Sequence, residues 1–301
     1  MPIPCYPAFT PLDLELRDSL HPGLFLISDG VSEFTFSGLY LFRNRYKYRI
    51  SRGGQNGGFI ISGEQPAGEG TEQGKTFFMT PCGVPEWEML ESLFETHDFW
   101  KNISESVFFP VREELEKRGV LFAEDRDNFD YLYFRKDLAE LSGKKFHKKK
   151  NLVNQFLHFY PDHEQRDLTA ALVPAAIEIL DRWQQGQGKD EEGDYQAALE
   201  ALELFDFLRL RGAVYYANGK PAAFCLGESI AGGTMFAINF EKAVEGYKGI
   251  YQFMNQAFAS ALPPSFTWIN REQDLGSKGL RHAKTSYRPS GFVRKYTGEY
   301  A

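Results

Sequence analysis

The sequence has few cysteines and no apolar run long enough to cross a membrane. Cys5, Cys82 and Cys225 are scattered over 301 residues, so their spacing indicates neither a disulfide framework nor a zinc site. The N-terminus lacks the basic segment and apolar run of a secretory signal, and no later stretch approaches the roughly 20 apolar residues of a membrane span. We therefore expect a cytoplasmic protein with reduced thiols, no transmembrane segment and no metal.

Several catalytic signatures are also absent. The sequence contains no G-x-S-x-G elbow, H-E-x-x-H pair, P-loop or dinucleotide fingerprint, so hydrolase, metalloprotease, kinase and dehydrogenase functions lose their simplest support. The formal net charge of -7 argues against general adhesion to nucleic acid, whose affinity comes mainly from neutralising phosphates. We expect no DNA partner, and any polyanion must be held by a local basic patch.

The composition indicates a folded chain of two domains. Hydrophobic residues make up 43% and charged residues 25% of the 301 residues, as in ordinary globular proteins. Because single cores stop growing near roughly 250 to 300 residues, we predict an N-terminal domain over residues 1–142 and a C-terminal domain over residues 143–301. Residues 143–151 would form a basic connecting segment.

The order of predicted elements suggests the fold. In the first half, a helix in "TPLDLELRDSLHPG" precedes strands around the turn "RGGQNGG", and "ESVFFP" is a strand between two helices. In the second half, "QFLHFY" is a strand, two helices flank the acidic loop "GQGKDEEGD", and Asn218-Gly219 predicts a hairpin. Three further strands and two helices follow. This is the element order of the GNAT acyltransferase fold, so we predict an α+β protein of two tandem GNAT-like domains. Each would be a mixed, mostly antiparallel sheet flanked by helices.

Four segments resemble a known family: "SEFTFSGLYLFRNRYKYRIS", "YLYFRKDLAELSGKKFHKKKNLVNQF", "AVYYANGKPAAFCLGE" and "INREQDLGSKGLRHAKTSYRPSGFVRKY". They are similar to a bacterial family of tandem GNAT-like proteins related to the C-terminal catalytic domain of phosphatidylglycerol lysyltransferase. Those relatives move an aminoacyl group from aminoacyl-tRNA to a lipid head group, whereas other GNAT proteins move acetyl from acetyl-CoA to an amine. The resemblance implies an acyl or aminoacyl transferase ancestry.

In a GNAT domain, the donor pyrophosphate binds where the fourth strand turns into its helix, because backbone N–H groups and the helix dipole favour an anion there. The corresponding corner is "EKAVEGYKGIY". Its candidate cofactor-binding residues are Gly246, Tyr247, Lys248 and Gly249. The usual arginine-led, glycine-rich signature is missing, so an ordinary glycine-containing loop is the alternative.

The candidate catalytic residues lie near the carboxyl ends of the predicted fourth and fifth strands. An acceptor amine must lose a proton before it attacks, which calls for a carboxylate; Glu241, Glu272 and Asp274 are candidates. The fold implies that Tyr287 returns a proton to the leaving group. Alternatively, Glu241 and Glu272 face solvent, Asp274 caps a helix and Tyr287 packs in the core.

The remaining candidates would bind substrate. Asn270 lies beside the predicted cleft, while Arg281 and Lys284, three residues apart on a helix, suit a phosphate or carboxylate. The basic run contributes Lys144, Lys145, His147, Lys148, Lys149 and Asn151, with no acidic residue from Leu141 through Pro161. Its positive potential extends over about one Debye length, roughly 8 to 10 Å. The alternative for all these charges is a solvated helix face or connector.

The leading functional hypothesis is a transferase that takes an acyl or aminoacyl group from acyl-CoA or aminoacyl-tRNA to an amine or hydroxyl acceptor. Its partners would be a small-molecule or tRNA donor. The alternative is a non-catalytic tandem module that binds RNA or anionic lipid through the lysine run, or a scaffold that kept the fold after losing the activity. The sequence predicts no oligomeric state.

Overall fold

The computed structural model describes residues 2–53, 58–66, 74–186 and 194–301. The chain forms two compact units: unit 1 comprises Met1–Tyr131, Gln273–Arg281 and Phe292–Ala301, and unit 2 comprises Leu132–Glu272 and His282–Gly291. The predicted turn "RGGQNGG" and acidic loop "GQGKDEEGD" lie largely outside the described residues. The domain boundary after residue 142 stays a prediction.

Fourteen strands lie in the described part of the chain. They are β1 (Thr10–Pro11), β2 (Arg49–Gly53), β3 (Gly58–Glu64), β4 (Thr76–Met79), β5 (Phe99–Ser104), β6 (Val120–Glu124), β7 (Asp130–Phe134), β8 (His163–Asp167), β9 (Arg211–Ala217), β10 (Lys220–Ile230), β11 (Met235–Ala243), β12 (Trp268–Asn270), β13 (Gly291–Val293) and β14 (Lys295–Tyr300).

Eleven α-helices lie in the same residues. They are α1 (Arg17–Phe25), α2 (Phe36–Leu41), α3 (Arg43–Tyr46), α4 (Trp87–Thr96), α5 (Glu105–Lys117), α6 (Arg135–Glu140), α7 (His147–Phe159), α8 (Val173–Gly186), α9 (Tyr195–Glu203), α10 (Ile250–Ala261) and α11 (Lys278–Thr285).

The strands form two seven-stranded mixed sheets. The first has the order β1-β2-β3-β4-β5-β14-β6, and the second has the order β13-β7-β12-β11-β10-β9-β8. In the first sheet β4 and β5 are parallel, and in the second β11 and β12 are parallel, whereas the flanking pairs β3/β4, β5/β14, β10/β11 and β7/β12 are antiparallel. Two mostly antiparallel sheets with helices confirm the predicted α+β fold class.

Each sheet contains one strand that is distant in sequence from its neighbours. β14, at the end of the chain, lies between β5 and β6, and β7, from the first half, lies between β12 and β13. In each sheet the inserted strand lies next to the edge strand: β14, the last strand of the chain, in the first sheet, and β7, the earliest strand of its sheet, in the second. This pairing explains why unit 1 and unit 2 are both discontinuous in sequence.

Local sequence signals explain several elements. Asn218 and Gly219 both have positive φ, 50° and 72°, as a two-residue hairpin turn of the I′ type requires, and Lys220 pairs with Ala217 directly beside it. The Asp13 side chain caps the turn before α1 by accepting a hydrogen bond from the Glu15 amide. The helix predicted in "TPLDLELRDSLHPG" does not include the first residues of that segment, because Thr10 and Pro11 pair with β2.

Two predicted strands are helical. "QFLHFY" falls mostly in α7, which buries Val153 and Phe156 on one face and stacks Phe156 on Phe253 of α10, with ring centroids 4.5 Å apart. "ESVFFP" begins α5, and the strand is the preceding β5, which is buried along its whole length. Short apolar runs do not reveal their period, so their secondary structure depends on tertiary packing.

Candidate active site

A notch forms in the second sheet where β11 and β12 stop pairing. β11 runs to Ala243, but its parallel ladder with β12 ends at the pair Ala237 and Asn270. Beyond this pair, no backbone hydrogen bonds of a ladder join the rest of β11 to the residues that follow β12. A gap therefore opens between the two segments. Such a gap beside the carboxyl end of a parallel strand is a common place for a ligand site.

Arg271, the first residue after β12, lies in this notch and pairs with Glu241 of β11. Their side chains are only 12% and 15% exposed, and Asn255 of α10 donates a further hydrogen bond to Glu241 at 2.5 Å. Burial alone would lower the pKa of the Arg271 guanidinium, but the Glu241 carboxylate, together with Tyr133 and Tyr287, outweighs it and raises the pKa. Arg271 is therefore a permanent cation.

Two of the three Arg271 nitrogens are left without a protein partner. Nε and Nη1 are buried and make no hydrogen bond to any described residue. An unsatisfied buried donor on a charged group is costly, and such groups are rare in structures unless they serve a function. These N–H groups lack the acceptor that buried donors need, and an oxygen atom of a ligand that entered the notch would supply it.

Tyr287 forms an aromatic wall of the notch. The Arg271 guanidinium carbon lies 5.1 Å from its ring centroid, and Lys149 of α7 lies over the ring at 4.0 Å. Burial raises the pKa of the Tyr287 hydroxyl to about 12, although Arg271 opposes the rise. Partial burial and the charge of Arg271 lower the pKa of the Lys149 ammonium.

Glu272 and Asn270 lie beside this group. The Glu272 amide donates to the Asn270 side-chain oxygen at 2.7 Å, which holds the residue at a positive φ of 53°. The Asn239 amide of β11 donates to the Glu272 carboxylate at 2.8 Å. Asn270 is fully buried, so it positions the turn, while the half-buried Glu272 carboxylate is turned toward β11.

Asp274 and Arg281 belong to unit 1 and pair with each other. Asp274 is buried and accepts hydrogen bonds from Arg281 Nη2 at 2.7 Å and from the Tyr131 hydroxyl at 2.6 Å. Burial would raise the pKa of this carboxyl, but Arg281 and Tyr131 outweigh it and lower the pKa to about 2. Arg281 also contacts Asp127 at 2.6 Å. This arrangement suits a structural anchor more than a base.

The other predicted substrate-binding residues separate into two groups. Of the basic run, Lys149 reaches Tyr287, whereas Lys145 pairs with Asp137 at 2.7 Å. The exposed members are Lys144, Lys145, His147, Lys148 and Asn151. The Lys284 backbone carbonyl accepts a hydrogen bond from the Tyr133 hydroxyl at 2.7 Å, which ties the end of α11 to β7.

The predicted donor corner lines an open cleft of about 490 Å³ at the start of α10. Its lining includes Gly246, Tyr247 and Lys248, together with Trp183, Glu245 and Tyr251. Gly249 has a different role: its φ is +84°, and a Cβ there would lie 2.2 Å from the Leu152 carbonyl oxygen of α7. This glycine allows the two helices to pack closely.

Three residues of the site do not follow from the sequence analysis. Arg271 adjoins the predicted cleft in the sequence, yet no role follows from its position alone. Asn239 and Asn255 lie in segments that are otherwise largely apolar. Those segments predict a buried strand and a buried helix face, but no role for the asparagines. An asparagine or arginine within an apolar element is the signal that would have marked them, because buried polar groups need partners.

Within the described residues, no helix is both long and apolar enough to cross a membrane. Across the same residues, no three His, Cys, Asp or Glu side chains cluster in a way that could hold a metal ion.

Comparison with known proteins reveals relatives of this chain. The profile of the family "Phosphatidylglycerol lysyltransferase, C-terminal" matches residues 25–298. An uncharacterized protein of Mycoplasmoides gallisepticum is 24% identical over 172 residues, which are 56% of this chain and 54% of that protein. The match therefore spans about half the length of this curated relative.

Two solved structures are similar. A conserved protein of unknown function from Bacteroides thetaiotaomicron is 30% identical, with a TM-score of 0.83 over 97% of this chain and 99% of that chain. The C-terminal domain of an Agrobacterium fabrum protein described as a lysylphosphatidylglycerol synthetase shares the fold at 14% identity, with a TM-score of 0.61 over 95% of this chain and 92% of that domain. The resemblance inferred from the sequence is confirmed: the chain belongs to the family of phosphatidylglycerol lysyltransferase C-terminal domains.

Proposed function

We propose that this chain transfers an aminoacyl group from aminoacyl-tRNA to an amine or hydroxyl acceptor, with the Arg271 notch of unit 2 as the active site. The observation that carries the proposal is the buried Arg271 guanidinium, whose Nε and Nη1 have no partner among the described residues. Aminoacyl transfer passes through a tetrahedral intermediate with a negatively charged oxygen. Preorganised N–H donors in a water-poor site stabilise such an oxyanion strongly.

The neighbouring side chains supply the other roles. Glu241 and Asn255 hold Arg271 in place, so we assign Glu241 to positioning. Glu272, bonded by the neutral Asn239 amide, is the base that takes the proton of the acceptor. Tyr287, with its pKa raised to about 12, keeps its proton at neutral pH and donates it to the oxygen that leaves the tRNA ribose.

The balance of the reaction is simple. The acceptor nitrogen or oxygen forms a bond to the carbonyl carbon, and the ester bond to the ribose oxygen breaks. One proton leaves the acceptor and one reaches the ribose, so no oxidant or reductant is needed. Phosphatidylglycerol is the first acceptor to test because it names the family, and lysine is the first aminoacyl group.

The test is a transfer assay with radiolabelled lysyl-tRNA and phosphatidylglycerol vesicles, followed by a panel of soluble amines. We expect Arg271→Lys to lower the rate by about 10²- to 10³-fold, as for the loss of an oxyanion donor. Arg182→Lys is the matched control, because Arg182 forms a partly exposed pair with Glu178 at 3.6 Å. Equal rates for wild type and Arg271→Lys would refute the assignment of the site.

The donor is tested separately from the transfer. A gel shift with tRNA and no rise in melting temperature with acetyl-CoA support the aminoacyl donor, whereas the opposite pair of results points to an acyl-CoA transferase. Salt-sensitive tRNA binding without transfer to any acceptor, unchanged in Arg271→Lys and Glu272→Gln, would instead indicate a non-catalytic RNA-binding module.

A further inference from the structure

The cleft at the start of α10 has the position of a GNAT donor site but not the charge that a pyrophosphate needs. Lys242 is buried and pairs with Asp194 at 2.5 Å, so its charge is already compensated. Lys248 lines the cleft, but so does the exposed carboxylate of Glu245. A dianion would gain little net attraction here and would be repelled by Glu245.

Backbone geometry also argues against a phosphate cradle. Gly249 approaches the Leu152 carbonyl so closely that a Cβ would lie 2.2 Å from it. The glycine at the helix start is therefore explained by packing of α10 on α7. The usual explanation, close approach of the backbone to a phosphate, is not needed here.

The cleft is instead rich in aromatic rings. Trp183, Tyr247 and Tyr251 line it. Lys242 covers the Trp183 ring at 3.6 Å, and Tyr247 rests against Tyr160 with ring centroids 5.2 Å apart. The rings of Trp183 and Tyr247 are thus each held in place by a neighbour. The volume of about 490 Å³ falls within the roughly 300 to 1,000 Å³ of small-ligand sites.

A basic helix leads to the same corner. Tyr160 follows α7 and donates a hydrogen bond to the Gly246 carbonyl at 3.4 Å. The other end of α7, about 20 Å away at 1.5 Å per residue, begins in the lysine run, where Lys148 and Lys150 are exposed. Positive charge at one end of a helix and rigid aromatic rings at the other can serve one single strand of nucleic acid, whose backbone follows the charge while its bases stack on the rings.

We infer that this cleft holds an unpaired nucleobase from the 3′ end of the donor tRNA, stacked on Tyr247 and Trp183, with the preceding phosphates along the lysines of α7. The inference rests on the proposed function for the identity of the RNA. It adds a binding site distinct from the Arg271 notch and assigns a base-stacking role to the corner that would hold CoA in an acetyltransferase.

The test measures binding, not transfer. An RNA stem-loop with a four-nucleotide single-stranded 3′ tail is titrated into the full chain, and the same stem with a blunt end is the reference. We expect tighter binding of the tailed RNA. Tyr247→Ala should weaken it by about 5- to 150-fold, the equivalent of the 1–3 kcal/mol that one stacked base contributes, and should leave the blunt RNA unchanged.

Two variants control for general effects. Tyr247→Phe keeps the ring and should bind like wild type, and so should Phe207→Ala, which removes an exposed aromatic of unit 2 that does not line the cleft. Stacking should also quench the fluorescence of Trp183, a signal that Trp183→Phe removes. If Tyr247→Ala fails to fold, this quenching still tests whether a base stacks in the cleft.

Equal affinity for tailed and blunt RNA, or full affinity of a folded Tyr247→Ala, would overturn the inference. The inference would also be overturned if acetyl-CoA displaced the tailed RNA and excess blunt RNA did not, because that result would identify the cleft as a CoA-binding site. Tail-dependent binding without any transfer would leave the inference standing and reject the proposed activity. Transfer that is indifferent to Tyr247→Ala would reject the inference alone.

Discussion

Replacing Glu241 by glutamine should destabilise the protein because it leaves the Arg271 charge buried without a carboxylate. Removing one partner of a buried pair costs about 3–5 kcal/mol. With Arg271 still 12% exposed, we expect the lower end, about 3 kcal/mol. Arg271→Met should cost less, about 1–2 kcal/mol, because Asn255 continues to donate to Glu241.

The double variant distinguishes this reasoning from a simple loss of contacts. Removing both charges ends the desolvation of the pair and also removes the unpartnered Nε and Nη1 donors of Arg271. Glu241→Gln with Arg271→Met should therefore lie within about 1 kcal/mol of wild type, which gives a coupling energy of about 3–5 kcal/mol in magnitude.

Urea unfolding measures these values, with tryptophan fluorescence and far-UV circular dichroism followed in parallel. A single free energy of unfolding is justified only where the two transitions coincide. A double variant less stable than both single variants would refute the claim that each charge of the pair is costly mainly when its partner is missing. So would a Glu241→Gln protein as stable as wild type.

Other parts of the structure make independent predictions. Asp274→Asn should lower stability by a few kcal/mol at pH 7; since the pKa of Asp274 is lowered to about 2, the difference in melting temperature from wild type should shrink as the pH falls from about 4 toward 2. Gly249→Ala should destabilise the protein by several kcal/mol, because it adds a clash with the Leu152 carbonyl to the strain of a positive φ. In Gly246→Ala the new Cβ meets nothing within 4 Å, so only the strain remains and the cost should be about 1–2 kcal/mol. Thermal unfolding of the two variants measures the difference. The exposed lysines Lys144, Lys148 and Lys150 belong to the basic run. If they contact phosphates, neutralising all three should reduce the slope of log affinity for tRNA against log salt by about 2 to 3. An unchanged slope would exclude them as phosphate contacts.

Local patterns predicted the element types of unit 2 well where a turn or a long amphipathic run marked them. The Asn218-Gly219 turn and the helix α10 are examples, because their signals depend on neighbours in the chain. The positions of β7 and β14 could not be predicted, since alternation identifies a strand but not its partner in a sheet. "QFLHFY" was misassigned for a related reason: its burial comes from Phe253, almost 100 residues later.

The site was predicted in part, for physical reasons that the segment "NREQD" illustrates. The sequence places Asn270, Glu272 and Asp274 together near the end of one predicted strand, yet Asn270 and Glu272 belong to unit 2 while Asp274 belongs to unit 1. Nothing in five consecutive polar residues indicates where the chain passes from one unit to the other. Only the partners, Glu241 for Arg271 and Arg281 for Asp274, distinguish the two environments.

The most direct test of the central claim is the single-turnover rate of aminoacyl transfer in wild type and Arg271→Lys, at donor concentrations that saturate both. The oxyanion role predicts a rate about 10²- to 10³-fold lower in the variant, with unchanged affinity for tRNA and with Arg182→Lys equal to wild type. An unchanged rate at saturation, with only the affinity for tRNA reduced, would mean that Arg271 binds the donor and does not stabilise the transition state.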